Sequence, residues 1–380
     1  MSEVAHDFTE AEVIELFGDK EVRWYQAAIR GGVEETMEEW ADRLLKEILA
    51  RAPRILVVAP TGSGKTVTSG LIFSSPRVRK ALGLKDNETL KILFIAHTHR
   101  LLSQAEKAYA DAMNVELITQ SAMSEVPLEV VNQCHVACID EAHHEAMMSI
   151  QYRLDMIGHL PIIGLTATPD RADGCVIKFD HIIEPLSRQQ AVEEGWLAET
   201  DLLSFVDTPS KSKTPILTDI LTNFHMEMGQ AMVFVRTKVE VAAINRVMLS
   251  LGRKSVALLG QKDKEVDSIL DQFSEGKIDT IINCKKINEG VDVRGCTDVV
   301  LGRQFGSYPQ LNQVIGRASR PDSDCRVWEL INPLSGRNLD TTVVVGTPRS
   351  HRLYSKRCGV WETRQFDYTA RYVDELSVAA

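Results

Sequence analysis

The run Ala59-Pro60-Thr61-Gly62-Ser63-Gly64-Lys65-Thr66 restricts this chain more than any other stretch. It reads G-x-x-x-x-G-K-[ST], with alanine in place of the first glycine. Ahead of it, Ile55-Leu56-Val57-Val58 is short, apolar and β-branched, the texture of a strand buried on both faces. The residues after Thr66 suit a helix. Strand, glycine loop and helix in that order are the setting of a phosphate-binding loop. Gly62 and Gly64 let backbone N–H groups curl inward with no Cβ in the way. The helix N-terminus adds a partial positive charge. In such a loop Thr61 to Thr66 wrap a triphosphate, Lys65 reaches the outer phosphates and the Thr66 hydroxyl meets Mg²⁺.

The chain of 380 residues is too long for one ordinary core, so two domains are expected. Its 44% hydrophobic and 25% charged residues are usual for a globular protein. No apolar run reaches membrane-spanning length, and the acidic start, Met1 to Asp7, has no signal-like apolar core. A cytoplasmic protein without a membrane partner is expected. Seven cysteines without C-x-x-C pairing argue against a disulfide framework, and the Cys134/Cys138 spacing is wrong for a zinc knuckle. A net charge of −10 does not advertise nucleic acid, but a local basic strip is all that an interface needs.

The first fifty residues carry helical patterning, interrupted by Gly31-Gly32. Between its apolar clusters lies Arg23-Trp24-Tyr25-Gln26. A glutamine amide can pair with an adenine edge through one donor and one acceptor, although alone this tetrapeptide is more often a solvated helix face than a base reader. After the loop, strands and helices alternate. The strands are Ile92–Ala96, Val115–Ile118, His135–Ile139 and Pro161–Leu165, and each is followed by polar residues. That pattern argues an α/β fold with a parallel sheet, whose strand ends bind ligand. A Pro/Ser/Lys-rich stretch at 207–215 reads as a linker. A second α/β unit follows, with strands at 231–235, 255–259, 280–282, 298–301 and 327–330. It has no phosphate loop of its own. From Thr347 onward cations mix with aromatics. This is either a stacking surface for single strands or, the preferred reading, a segment packing its aromatics on the second unit.

Two further constellations carry chemistry. Asp140-Glu141 closes a strand, Asp140 suited to Mg²⁺ and Glu141 to the attacking water. Gln313, Arg317 and Arg320 stand four and three residues apart, which on a helix puts them on one face. An arginine reaching the transferred phosphoryl group from another domain contributes about 10³–10⁵ in rate.

Taken in order, these motifs resemble a superfamily 2 helicase of the DEAD/DEAH-box type. They run over Arg23–Gln26, Ala59–Thr66, Ala96–Gln104, Thr119–Ser121, Asp140–His143, Thr166–Pro169, Val233–Thr237, Cys284–Val293 and Gln313–Arg320. Asp140-Glu141-Ala142-His143-His144 with Thr166-Ala167-Thr168-Pro169-Asp170-Arg171 is similar to the DNA-acting branch that includes RecG, type III restriction and UvsW-like phage helicases. The resemblance implies two tandem RecA-like domains with parallel sheets and ATP and Mg²⁺ as cofactors. It implies that Arg23 and Gln26 read adenine, and that Gly290 and Asp292 sense nucleotide. It makes Lys65, Asp140, Glu141, Gln313, Arg317 and Arg320 catalytic, and His143, Thr166 and Thr168 a coupling set. Arg100, Thr119, Arg236 and Lys285 fall on the nucleic-acid side. The segments Cys284-Lys285-Lys286-Ile287 and His97-Thr98-His99-Arg100 depart from the commonest wording of their motifs.

The expected layout is a first RecA-like domain over 1–206, with a short N-terminal helical extension, a linker over 207–215, a second RecA-like domain over 216–346 and a C-terminal tail over 347–380. The expected function is an ATP-dependent DNA helicase or translocase, serving repair, recombination or replication. An RNA helicase and an ATP-switched nucleic-acid clamp are the alternatives.

Overall fold

The computed structural model describes residues 23–46, 51–85, 87–110, 114–122, 124, 127–142, 157–167, 178–207, 212–284, 293–321, 323–332 and 339–366. Contacts divide the chain into two compact units, Met1–Ser187 and Arg188–Ala380.

In the first unit six strands form one parallel sheet. They are β1 (Arg54–Val58), β2 (Leu90–Ala96), β3 (Val115–Ser121), β4 (Val136–Asp140), β5 (Ile162–Thr166) and β6 (His181–Ile183). Their order is β3-β2-β4-β5-β1-β6. All five residues of β1 are buried, Arg54 together with the apolar run Ile55–Val58. The centre of the sheet therefore places the ends of β4, β5 and β1 side by side.

The helix Trp24–Leu45 runs unbroken through Gly31-Gly32, where the sequence suggested an interruption. The reason is packing. A Cβ at Gly32 would lie 3.1 Å from Ile183 Cδ1, so the missing side chain lets the helix press against β6. The buried Glu34 carboxylate fixes the same helix. It accepts from Arg30 Nε at 2.8 Å, from Arg77 Nη1 at 2.9 Å and from Ser75 Oγ, tying the helix to the segment after the glycine loop.

The second unit carries β7 (Thr200–Val206), β8 (Ala231–Phe234), β9 (Ser255–Leu258), β10 (Thr280–Asn283), β11 (Asp298–Leu301), β12 (Cys325–Ile331), β13 (Ser350–Arg357) and β14 (Val360–Phe366). Their order is β14-β13-β7-β12-β11-β8-β10-β9. Every pair is parallel except the closing β13–β14 hairpin.

This layout differs from the sequence expectation in three places. The division falls after Ser187, and β7 lies between β12 and β13, so residues 200–206 pack in the second unit. The 207–215 stretch lies within that unit: Asp207 is buried and paired with Lys213, and Thr214 already begins the helix Thr214–Phe224. Its proline occupies the first turn, a helix-start position rather than a linker signal. Finally, 350–366 is no tail but two strands of the sheet, and its aromatics pack on the core as preferred. Tyr354 stacks on Phe205 at 4.5 Å, and Trp361 meets the same ring edge-on at 5.4 Å. Tyr368, Arg371 and Tyr372 lie outside the described residues.

Trp328 on β12 is the largest fully buried side chain of the second unit. It stacks at 5.9 Å on Phe205, and its Nε1–H donates to Asp298 Oδ1 at 2.8 Å. Among the described residues no helix is long and apolar enough to cross a membrane. Trp328→Ala is expected to cost about 3–5 kcal/mol of stability, read as a lower urea midpoint for the transition of the second unit. Trp328→Phe should recover most of that loss.

Candidate nucleotide and nucleic-acid sites

The glycine loop follows β1 directly, and the helix Lys65–Ser74 begins at its lysine. Gly62 and Gly64 have φ of 88° and 84°, a backbone region open to glycine at little cost. A Cβ at Gly64 would also stand 3.3 Å from Gln26 Nε2. The loop entry is pinned by Ala59 N–H donating to Thr166 O at 2.9 Å, joining it to the end of β5. The side-chain oxygens of Thr61 and Ser63 are buried without hydrogen-bond partners. Hydroxyl donors of this kind, on a glycine loop with an adjacent lysine, fit a triphosphate.

The loop is braced from the helix Trp24–Leu45. Tyr25 O–H donates to Ser63 O at 2.7 Å and Gln26 Nε2 to the same oxygen at 3.4 Å. Gln26 Oε1 accepts from Arg23 N–H at 3.1 Å, and Arg23 Nη1 donates to Tyr25 Oη at 2.8 Å. Both ends of the buried Gln26 amide thus engage the protein, and the sequence reading overlooked Tyr25. A tyrosine directly before the glutamine was the available signal.

Asp140 ends β4, in register with Leu165 of β5. Burial first, then the neighbouring Glu141 carboxylate, pushes Asp140 up to about 7, while Lys65 pulls it down. Lys65 therefore lies within electrostatic reach of this acid. Glu141 has φ of 52°, and its N–H donates to Asp140 Oδ1 at 3.0 Å. A non-glycine residue in the left-handed region costs about 1–3 kcal/mol, which a surrounding structure must hold in place. The turn fits because β5 has a glycine beneath it: a Cβ on Gly164 would lie 2.9 Å from Ala142 Cβ and 2.5 Å from the Phe179 ring. The oxygens of Thr66 and Asp140 are the hard donors that Mg²⁺ requires, so the residues present fit the ion.

Behind the loop helix, buried Tyr109 shares a 2.7 Å hydrogen bond with Ser69 Oγ, which itself donates to Thr66 O at 2.8 Å. Tyr109 caps the helix His99–Ala108, which carries Arg100. Thr119 lies on β3, its hydroxyl donating to Glu106 Oε1 at 2.7 Å. Thr166 ends β5 and is fully buried. His143, Thr168, Lys285, Gly290 and Asp292 lie outside the described residues.

In the second unit, Arg236 is exposed just after β8. Gln313 lies on the helix Tyr308–Ile315 and is 8% exposed. That helix ends at Ile315, so Arg317 follows it in a turn and Arg320 lies beyond that turn. The single helical face expected for the three residues is not formed. Ser319 explains the stop: its Oγ returns to Ile315 O at 3.2 Å and accepts from Arg188 Nη2 at 2.6 Å. Arg317 is buried, and Arg320 Nε donates to Val293 O at 3.3 Å. Burial lowers the pKa of Arg320. Arg188, 131 positions before Ser319, gave no sequence signal at all.

Fold and loop together define a phosphate-loop protein with two α/β units. Family comparisons then match both halves: the type III restriction enzyme res subunit over residues 22–126, and the helicase conserved C-terminal domain over 212–322. The chain belongs to the superfamily 2 helicases. It is similar to the Saccharomyces cerevisiae protein IRC3, named as an ATP-dependent helicase, with 22% identity over 85% of this chain and 54% of that protein. A fragment of an HsdR subunit of a type I restriction enzyme from Vibrio vulnificus shares the fold at a TM-score of 0.65 and 18% identity, over 93% of this chain and 73% of that one. The restriction-modification enzyme LlaBIII bound to DNA does so at 0.63 and 12%, over 90% and 32%. The chain spans about half the length of the relatives it matches in sequence.

Tyr25→Phe removes the shorter brace on the loop. It is expected to weaken ATP binding about two- to tenfold, the effect of losing ~0.5–1.5 kcal/mol, measured by titration with a fluorescent ATP analogue.

Proposed function

We propose that this chain is an ATP-driven DNA translocase or helicase. The observation that carries the reading is the division of labour between units. The phosphate loop, Asp140 and Glu141 belong to the first. Gln313, Arg317 and Arg320, the arginine-bearing segment of the helicase C-terminal domain, belong to the second. In this reading both sets serve ATP hydrolysis.

In this reading Thr61 to Thr66 hold the triphosphate, and Arg23 and Gln26 face the adenine. Thr66 and Asp140 hold Mg²⁺, which screens phosphate charge when bound. Glu141 accepts a proton from the attacking water. Arg317 and Arg320 neutralise charge developing on the transferred group, with Gln313 beside them. Gly290 and Asp292 sense nucleotide, and His143, Thr166 and Thr168 carry its state toward the strand. Arg100, Thr119, Arg236 and Lys285 touch that strand at its phosphates, which gives little sequence preference and strong salt dependence. DNA is preferred to RNA because residues 22–126 match the type III restriction enzyme res subunit, and LlaBIII bound to DNA shares the fold at a TM-score of 0.63 against 0.55 for Saccharomyces cerevisiae Dbp5 bound to RNA.

The test is ATP turnover with no nucleic acid, single-stranded DNA, branched DNA or RNA, beside duplex-unwinding and triplex-displacement assays. DNA is expected to stimulate hydrolysis most. Lys65→Ala should abolish that rate, and Arg320→Ala should lower it about 10³-fold or more. Undiminished hydrolysis in either variant sinks the assignment. ATP-dependent binding without displacement or unwinding would identify a clamp.

A further inference from the structure

Arg303 follows β11 and belongs to none of the motifs above. Leu301, at the end of β11, pairs in register with Phe234, at the end of β8. Arg303 and Arg236 each come two residues later, so both emerge at the same sheet edge from adjacent strands. Parallel sheets bind ligands at this edge. The Arg303 guanidinium lies 4.1 Å from the centre of the Phe305 ring, and Phe305 packs edge-on against Phe234 at 6.4 Å. The fork is therefore held in one plane by an aromatic shelf rooted in the core.

Its nitrogens make no hydrogen bond or ion pair among the described residues, and Nε is buried. An acid is at hand and is not used. Glu329 lines the same pocket, with Gln304, Leu339 and Thr341. Its carboxylate instead accepts from Ser204 Oγ and Thr341 Oγ1, each at 2.5 Å. A guanidinium partly removed from water with no anion is unfavourable. One that is also flat, oriented and at a ligand-binding edge is suited to a bidentate phosphate contact.

We propose that Arg303 receives a phosphate, and that this phosphate belongs to the backbone of the bound nucleic-acid strand, which Arg236 also contacts. The inference rests on the nucleic-acid reading above. An ATP phosphate is the other source of the same chemistry, and the test separates them.

In the full chain, Arg303→Met keeps an unbranched stem on Phe305 and removes the charge, Arg303→Lys keeps the charge, and Arg303→Gln is measured in parallel in case one variant does not fold. Binding of a fluorescein-labelled oligo-dT is followed by anisotropy across a salt series. Binding of a fluorescent ATP analogue is followed without DNA, and thermal unfolding verifies each variant. Arg303→Met and Arg303→Gln should weaken strand binding about tenfold at low salt and flatten the slope of log K against log[salt] by about 0.7, one phosphate contact on a single strand. Arg303→Lys should keep the slope, and ATP-analogue affinity should stay at the wild-type value. Folded Met and Gln variants with wild-type strand affinity and slope overturn the proposal, as does a loss confined to the ATP analogue. Wild-type protein without salt-dependent strand binding would instead remove the nucleic-acid reading on which it rests.

Discussion

A glycine loop set between a fully buried strand and a helix that starts on a lysine is the constraint from which the first unit is built. The path of that loop needs positive φ at two positions, and Gly62 and Gly64 meet that demand. The strand is immobile because β1 is buried along its whole length. Even so, a glycine loop is a flexible object. What makes this one a defined cradle is the Ser63 carbonyl, gripped from a helix nearly forty residues upstream by Tyr25 and Gln26. Glu34 holds that helix down in turn, with Arg30, Arg77 and Ser75 spending their donors on it. A buried carboxylate with three donors is fully compensated, whereas one left alone would be costly.

The acidic partner is prepared by a different device. Asp140 and Glu141 sit where β4 stops, and the turn between them depends on a left-handed glutamate over the bare backbone of Gly164. Tyr109 joins the helix after the glycine loop to the helix bearing Arg100 through Ser69 and Thr66. Three strand ends, one bent backbone and two hydroxyls thus hold the glycine loop, the acidic pair and the helix bearing Arg100 within the first unit.

What could be read from the chain follows from the range of each signal. Strands such as Ile55–Val58 and Ile92–Ala96 are apolar runs flanked by polar residues, and periodicity alone finds them. The loop and the Asp140-Glu141 pair carry fixed local spacings, so they too were legible. β7 was not. Its neighbours β12 and β13 are about 125 and 150 positions away, and only that pairing tells which unit it joins. Gly31-Gly32 misled for a related reason: glycine is a helix breaker by propensity, but contact with Ile183 decides the matter. The turn after Ile315 was hidden because Arg188, far away in sequence, helps to hold Ser319. Arg303 escaped notice because the meaning of a lone arginine lies in what it fails to pair with.

The hairpin at the end of the second sheet settles how that sheet stops. Were β13 and β14 missing, β7 would be the last strand, with its hydrogen-bonding groups open and the ring of Phe205 bare beside Trp328. That is an adhesive border, ready to recruit a strand from a neighbouring molecule. The hairpin moves the border outward to β14, where Glu362, Arg364 and Gln365 stand exposed. Charged groups along such a rim must be stripped of water before another strand can add there, so the hairpin covers the core and ends the sheet on a charged edge.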